Sequence, residues 1–109
     1  MTSHEICQNQ ALLCKMLASL QTPEEIAVLL QDLCTKKELE QMDQRIRSAV
    51  LLMEGKTYTQ VCEETGISTV TLSRVSRSLH SGEGYSRLLR NYIQSVKENI
   101  HESDSPNAQ

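Results

Sequence analysis

The sequence predicts an all-α fold built around a helix-turn-helix, and three observations predict it. The first is the stretch Thr57–Leu79, TYTQVCEETGISTVTLSRVSRSL, which reads as two short helices hinged at a glycine. The second is a pair of helix-start signatures, Thr22-Pro23-Glu24-Glu25 and Thr35-Lys36-Lys37-Glu38, in which a threonine cap is followed by a glutamate that can reach back to it. The third is spacing. Behind each start the apolar residues recur every three or four positions, the period of a one-sided helix.

Taken in order, Met1 to His4 has nothing to anchor it. Glu5–Leu20 reads as one amphipathic helix with Leu12, Leu13, Met16, Leu17 and Leu20 on one side. Ile26, Leu29, Leu30, Leu33 and Cys34 form the stripe of the next helix. From the Thr35 cap a long helix runs to Glu54, with Gly55 as the residue just past its end. Its Leu39, Met42, Ile46, Val50 and Met53 share one face, while Leu51 and Leu52 lie off it. A helix apolar on two sides is central to a fold or to a dimer, and so apolar a leading helix on a small chain also predicts packing against a second copy.

In the hairpin, Thr57 can cap with Gln60 closing the box, and Val61 and Cys62 face inward. Gly66 stands where the chain reverses, a place for positive φ, and Ile67 plugs the turn. Ser68 can cap the second helix, whose Leu72, Val75 and Leu79 make a buried stripe. At about 100° per residue Val70, Ser73, Arg74 and Arg77 fall on the opposite face. A methyl group, a hydroxyl and two guanidiniums suit a DNA major groove, where arginine reads guanine edges or phosphates and a small apolar group meets the thymine methyl. His80–Gly84 reads as a flexible joint. A last helix from near Tyr85 places Leu88, Leu89, Tyr92, Ile93, Val96 and Ile100 on one face. The segment 101–109 is polar and is expected to be a disordered tail, leaving a single domain over 1–100.

Composition narrows the function classes. The chain has 109 residues, no Phe or Trp and three Tyr, so its core must be aliphatic. The net charge is −3, which by itself does not announce a nucleic-acid binder. Local charge does more: Arg74, Arg77, Arg87 and Arg90 face only Glu83 in that span, the local basic patch that phosphate contacts need. The four cysteines show no CxxC spacing. Cys7 and Cys14 on one helix would lie about 10.5 Å apart along its axis, too far for a disulfide or a shared metal. Small buried thiols and a reducing, cytoplasmic compartment are the expectation. No apolar run reaches the roughly eighteen residues of a membrane span. None of His4, His80 and His101 sits beside a nucleophile at a recognisable spacing, and no phosphate-cradling glycine loop or HExxH occurs. No catalytic residue, metal site or cofactor is expected, and the chain does not read as an enzyme.

The segments DLCTKKELEQMDQRIRSAVLLMEGKTYTQV and ETGISTVTLSRVSRSL carry a resemblance to the tryptophan-repressor-like YerC/YecD family, extending from about Thr22 to Leu89. The resemblance implies about six helices, an intertwined homodimer, and transcriptional regulation through the hairpin on a near-palindromic operator with half-sites roughly 34 Å apart. It also implies that Arg45 and Arg74 stand where the tryptophan repressor sandwiches its corepressor, with Thr35 at a further corepressor contact. The chain departs from that repressor at Val75, where the repressor has glycine. A branched side chain there would fill part of the pocket, so tryptophan dependence is not expected to carry over.

The resulting expectation is a dimeric, sequence-specific DNA-binding regulator, a repressor working without tryptophan on double-stranded DNA. Thr69, Val70, Ser73, Arg74 and Arg77 would recognise the operator, with Thr57, Thr59, Ser68 and Thr71 contacting phosphates. The competing expectation is a protein-interaction module whose hairpin docks on a partner such as RNA polymerase, favoured by the acidic balance and the absence of Lys from the second helix.

Overall fold

The computed structural model describes residues 1–103, with side-chain surroundings for 1–97. All regular structure among them is helical: α1 (Ser3–Asn9), α2 (Ala11–Ser19), α3 (Pro23–Leu33), α4 (Lys36–Met53), α5 (Tyr58–Thr65), α6 (Thr69–Ser81), a π-helical turn (Gly84–Leu89) and α7 (Arg90–Ser103). Backbone contacts divide the chain into two compact units, Met1–Glu40 and Gln41–Gln109.

In the first unit the single leading helix expected over Glu5–Leu20 is two helices. Thr2 caps α1 by accepting from the Glu5 amide at 3.1 Å, and Gln10 leaves helical geometry with φ −115° and ψ 44°. That break moves the number of α-helices among the described residues to seven, from the expected six or so. It also separates Cys7 from Cys14, which lie on different helices; Cys7 is exposed and Cys14 half-buried. Cys34 terminates α3 in an extended conformation rather than occupying a helical position. Leu12 is 83% exposed and Leu33 52%, so parts of the apolar stripes on α2 and α3 remain open in the single chain.

The Thr35 start forms as expected, whereas at Thr22 the hydroxyl caps but the Glu25 carboxylate accepts from the Gln21 amide at 2.9 Å instead of from Thr22. The Glu25 amide donates to Thr22 Oγ1 at 3.1 Å, with Pro23 at the first helical position. At the start of α4 the Glu38 amide donates to Thr35 Oγ1 at 3.1 Å, and the Thr35 amide donates to Glu38 Oε1 at 2.8 Å. That backbone amide, with the Thr35 hydroxyl second, holds the Glu38 carboxyl below its usual range. A carboxylate whose pKa is lowered by folding stabilises the fold above the usual range and stops doing so as pH falls through the lowered value. Glu38→Gln keeps the hydrogen bond and removes the charge. Urea midpoints of the two proteins should therefore differ at neutral pH and converge in acid; a difference independent of pH would refute the charge-based cap.

The second unit contains the hairpin. Its core is Ala49, Val61, Ile67, Leu72 and Val75, with Leu51, Leu52, Cys62, Leu79, Tyr85 and Leu89 packed against it. Helix α4 thus turns Ser48, Ala49, Leu51 and Leu52 to the core, and leaves Met42 37% and Ile46 47% exposed. Of the stripe most regular in the sequence, Met42 and Ile46 are open while Leu39, Val50 and Met53 are half-buried; the fully buried residues lie off it. Helix α4 ends with Gly55 at φ 89°, the Lys56 amide reaching the Leu51 carbonyl and the Gly55 amide that of Leu52, a Schellman closure.

After α6 the expected loose joint is instead tightly bonded. The Gly82 amide donates to the Ser78 carbonyl at 2.8 Å, and a Cβ on Gly82 would stand 2.9 Å from that oxygen. The following turn is π-helical, the Leu88 amide reaching back to the Glu83 carbonyl. This wider turn directs Tyr85 and Leu89 to the core and leaves Leu88 exposed, against the single face expected of them. Helix α7 runs through His101 to Ser103, past the expected start of the tail; 104–109 lie outside the described residues.

Candidate nucleic-acid interface

Helix α5 starts at a complete capping box: the Gln60 amide donates to Thr57 Oγ1 at 3.2 Å, and the Thr57 amide to Gln60 Oε1 at 2.9 Å. Gly66 ends it in the left-handed conformation, φ 76°, which favours glycine. Ser68 then caps α6, accepting from the Thr71 amide at 3.2 Å. The two short helices are thus held by bonds local in sequence, which is why the sequence predicts them well.

Their anchorage to α4 is less visible in sequence. Thr65 is its hub. Gln44 Nε2 donates to the Thr65 carbonyl at 2.9 Å, and the fully buried Ser48 hydroxyl donates to Thr65 Oγ1 at 3.2 Å. Thr65 Oγ1 donates to the Val61 carbonyl at 2.8 Å and accepts from the Ile67 amide at 3.2 Å. The signal that could have found this network is the pair Gln44 and Ser48, four apart and so on one face of a helix.

On α6, Leu72 and Val75 are buried while Thr69, Val70, Ser73, Arg74 and Arg77 are exposed, Val70 at 68%. That face carries no carboxylate. Thr57, Thr59 and Ser68 are exposed and Thr71 half-buried. The hydroxyls differ in what they can still donate. Ser68 gives its proton to Thr71 Oγ1 at 3.0 Å, whereas Thr57 and Thr71 only accept through their hydroxyls and keep their protons free.

The structure brings Arg45 and Arg74 together on one groove of about 370 Å³, with Gln41, Gln44, Ser68 and Thr71 as the other walls. Every wall residue is polar. Val75 does not fill this groove: it is 2% exposed and belongs to the core. Thr35 is not among the walls, and its hydroxyl caps α4 in the first unit.

Residues 8–93 match the Trp repressor protein family. The chain belongs to the Trp repressor family. Within it, the chain is 40% identical over 87 residues to the uncharacterized protein YerC of Bacillus subtilis (strain 168), covering 80% of this chain and 81% of that protein. The fold agrees with the family. A candidate Trp repressor from Staphylococcus aureus, solved by crystallography, superposes with a TM-score of 0.76 at 33% identity, covering 85% of this chain and 96% of that one. The hairpin of this Trp repressor family member therefore sits in a helix-turn-helix regulator fold. Among the described residues no helix is long and apolar enough to cross a membrane.

Proposed function

We propose that the chain is a dimeric, sequence-specific DNA-binding transcriptional regulator, acting as a repressor without tryptophan. The observation that carries this reading is the outward face of α6, where Thr69, Val70, Ser73, Arg74 and Arg77 stand free over a buried Leu72 and Val75. A major groove takes such a face against its base edges, and Thr57, Thr59, Ser68 and Thr71 would contact the flanking phosphates, Thr57 and Thr71 through their free protons. The open stripes of α2, α3 and α4 support a second copy as their cover, since a single chain rarely leaves so much aliphatic surface wet. Independence from tryptophan is supported by the groove at Arg45 and Arg74, whose walls offer no aliphatic or aromatic side chain to an indole.

Selection of random duplexes by the purified protein, at low salt and without ligand, tests the reading. Enrichment of a near-palindrome with half-sites about one turn apart supports it. On that operator Arg74→Ala should cost about 1–3 kcal/mol, read as a five- to roughly hundredfold weaker Kd in a gel-shift or anisotropy titration. An unchanged Kd refutes the role of Arg74. Enrichment only after tryptophan is added refutes ligand independence. If no duplex enriches in either condition, the hairpin serves as a protein-docking surface instead.

A further inference from the structure

A second hollow on the same unit shares no wall with the Arg45–Arg74 groove. It measures about 460 Å³ and lies among the last turn of α4, the start of α5, the end of α6 and Arg90 of α7. Its floor is apolar, made by the half-buried Leu52, Met53 and Leu79. Tyr58 adds an aromatic wall, and His80 and Arg90 stand at the rim.

The rim groups have defined chemistry. His80 Nδ1 lies 2.7 Å from the Ser76 carbonyl. A carbonyl only accepts, so Nδ1 carries a proton, and in the corresponding neutral tautomer Nε2 is the acceptor. Arg90 donates its Nε to the Ser86 carbonyl at 3.3 Å, which leaves both terminal nitrogens of the fork. Among the described residues no carboxylate lines the hollow, and the ion pairs involve Arg47 and Arg87 rather than Arg90.

An apolar floor with a few convergent polar groups, at this volume, is the usual make-up of a small-ligand site. A guanidinium fork suits a carboxylate, and an acceptor nitrogen suits a hydroxyl. We propose that this hollow binds a small carboxylate with a ring-sized apolar body and a hydroxyl group, such as a hydroxy-aromatic acid. The site does not rest on the DNA-binding reading. Because Ser76, Leu79 and His80 belong to α6, an occupant there ties the end of that helix to α4 and α7.

The test is a titration of isotope-labelled full-length protein with para-hydroxybenzoate, followed by amide chemical shifts. The expected result is saturable shifts centred on Leu52, Met53, Tyr58, the end of α6 and Arg90. Arg90→Ala should weaken binding about ten- to a hundredfold, and benzoate, which lacks the hydroxyl, should bind more weakly than para-hydroxybenzoate. Arg90 is exposed, so its truncation should leave the remaining spectrum unchanged. No saturable shift, shifts centred on Arg45 and Arg74, or equal binding by Arg90→Ala would each overturn the site.

Discussion

Leu72→Ala should lower the stability of the protein by about 2–5 kcal/mol, the cost of emptying a buried leucine site. Leu72 is 0% exposed and shares a core with Ala49, Val61, Ile67 and Val75, against which Leu51, Leu52, Cys62, Leu79, Tyr85 and Leu89 pack. Neighbours held on α4, α5 and the π-helical turn cannot close over the lost isobutyl group without moving these elements. Against a total of about 5–15 kcal/mol for a domain, a loss at the upper end unfolds much of the population at physiological temperature. Urea denaturation checks it: the midpoint should fall while the slope stays constant. Arg77→Ala, on the exposed face of the same helix, should stay within about 0.5 kcal/mol of the parent and serves as the control. A loss below about 1 kcal/mol for Leu72→Ala would show that the α6 stripe is not the core.

Thr65→Val should cost about 1–3 kcal/mol although it hardly changes shape. The hydroxyl it removes accepts from the buried Ser48 and from the Ile67 amide, and the valine methyl can replace neither bond. The asymmetry of hydrogen bonding gives a sharper form of the experiment. Removing one partner strands the other, whereas replacing both by apolar groups restores much of the loss. The double variant Ser48→Ala, Thr65→Val should therefore be more stable than the sum of the single effects implies, with a coupling of about 0.5 kcal/mol or more in a double-mutant cycle. Strict additivity would mean that the Ser48–Thr65 contact carries no stability. If the DNA-binding reading holds, Thr65→Val should also weaken operator binding, because the hub joins α4 to the turn that aims α6.

Much of this architecture is written in short-range chemistry. Threonine caps at Thr22, Thr35 and Thr57, the serine cap at Ser68, and the glycines Gly55 and Gly66 all act within about four residues, so one-dimensional spacing reveals them. The break at Gln10 was not legible for the same reason inverted: neither Gly nor Pro marks it. Nor could periodicity say which face of α4 is inside. Met42, Ile46 and Val50 make the more regular stripe, yet Ser48 and Ala49 are buried, because the small side chains let α4 come close to the hairpin and Thr65 supplies the hydroxyl partner.

The candidate interface divides along the same line. That Val70, Ser73, Arg74 and Arg77 point away from Leu72 and Val75 follows from helical geometry alone, and the structure leaves all four exposed. That Arg45, twenty-nine positions before Arg74 in the chain, lines the same groove is decided by how α4 crosses the hairpin. Val75, by contrast, follows from spacing alone: it falls on the buried stripe of α6 and lies in the core. The sequence by itself determined the helices, their caps and the outward face of α6, since these depend on neighbours along the chain. Only the tertiary structure decided the buried face of α4, the Thr65 hub, the π-helical turn and the walls of the two hollows, since each depends on groups distant in sequence meeting through packing.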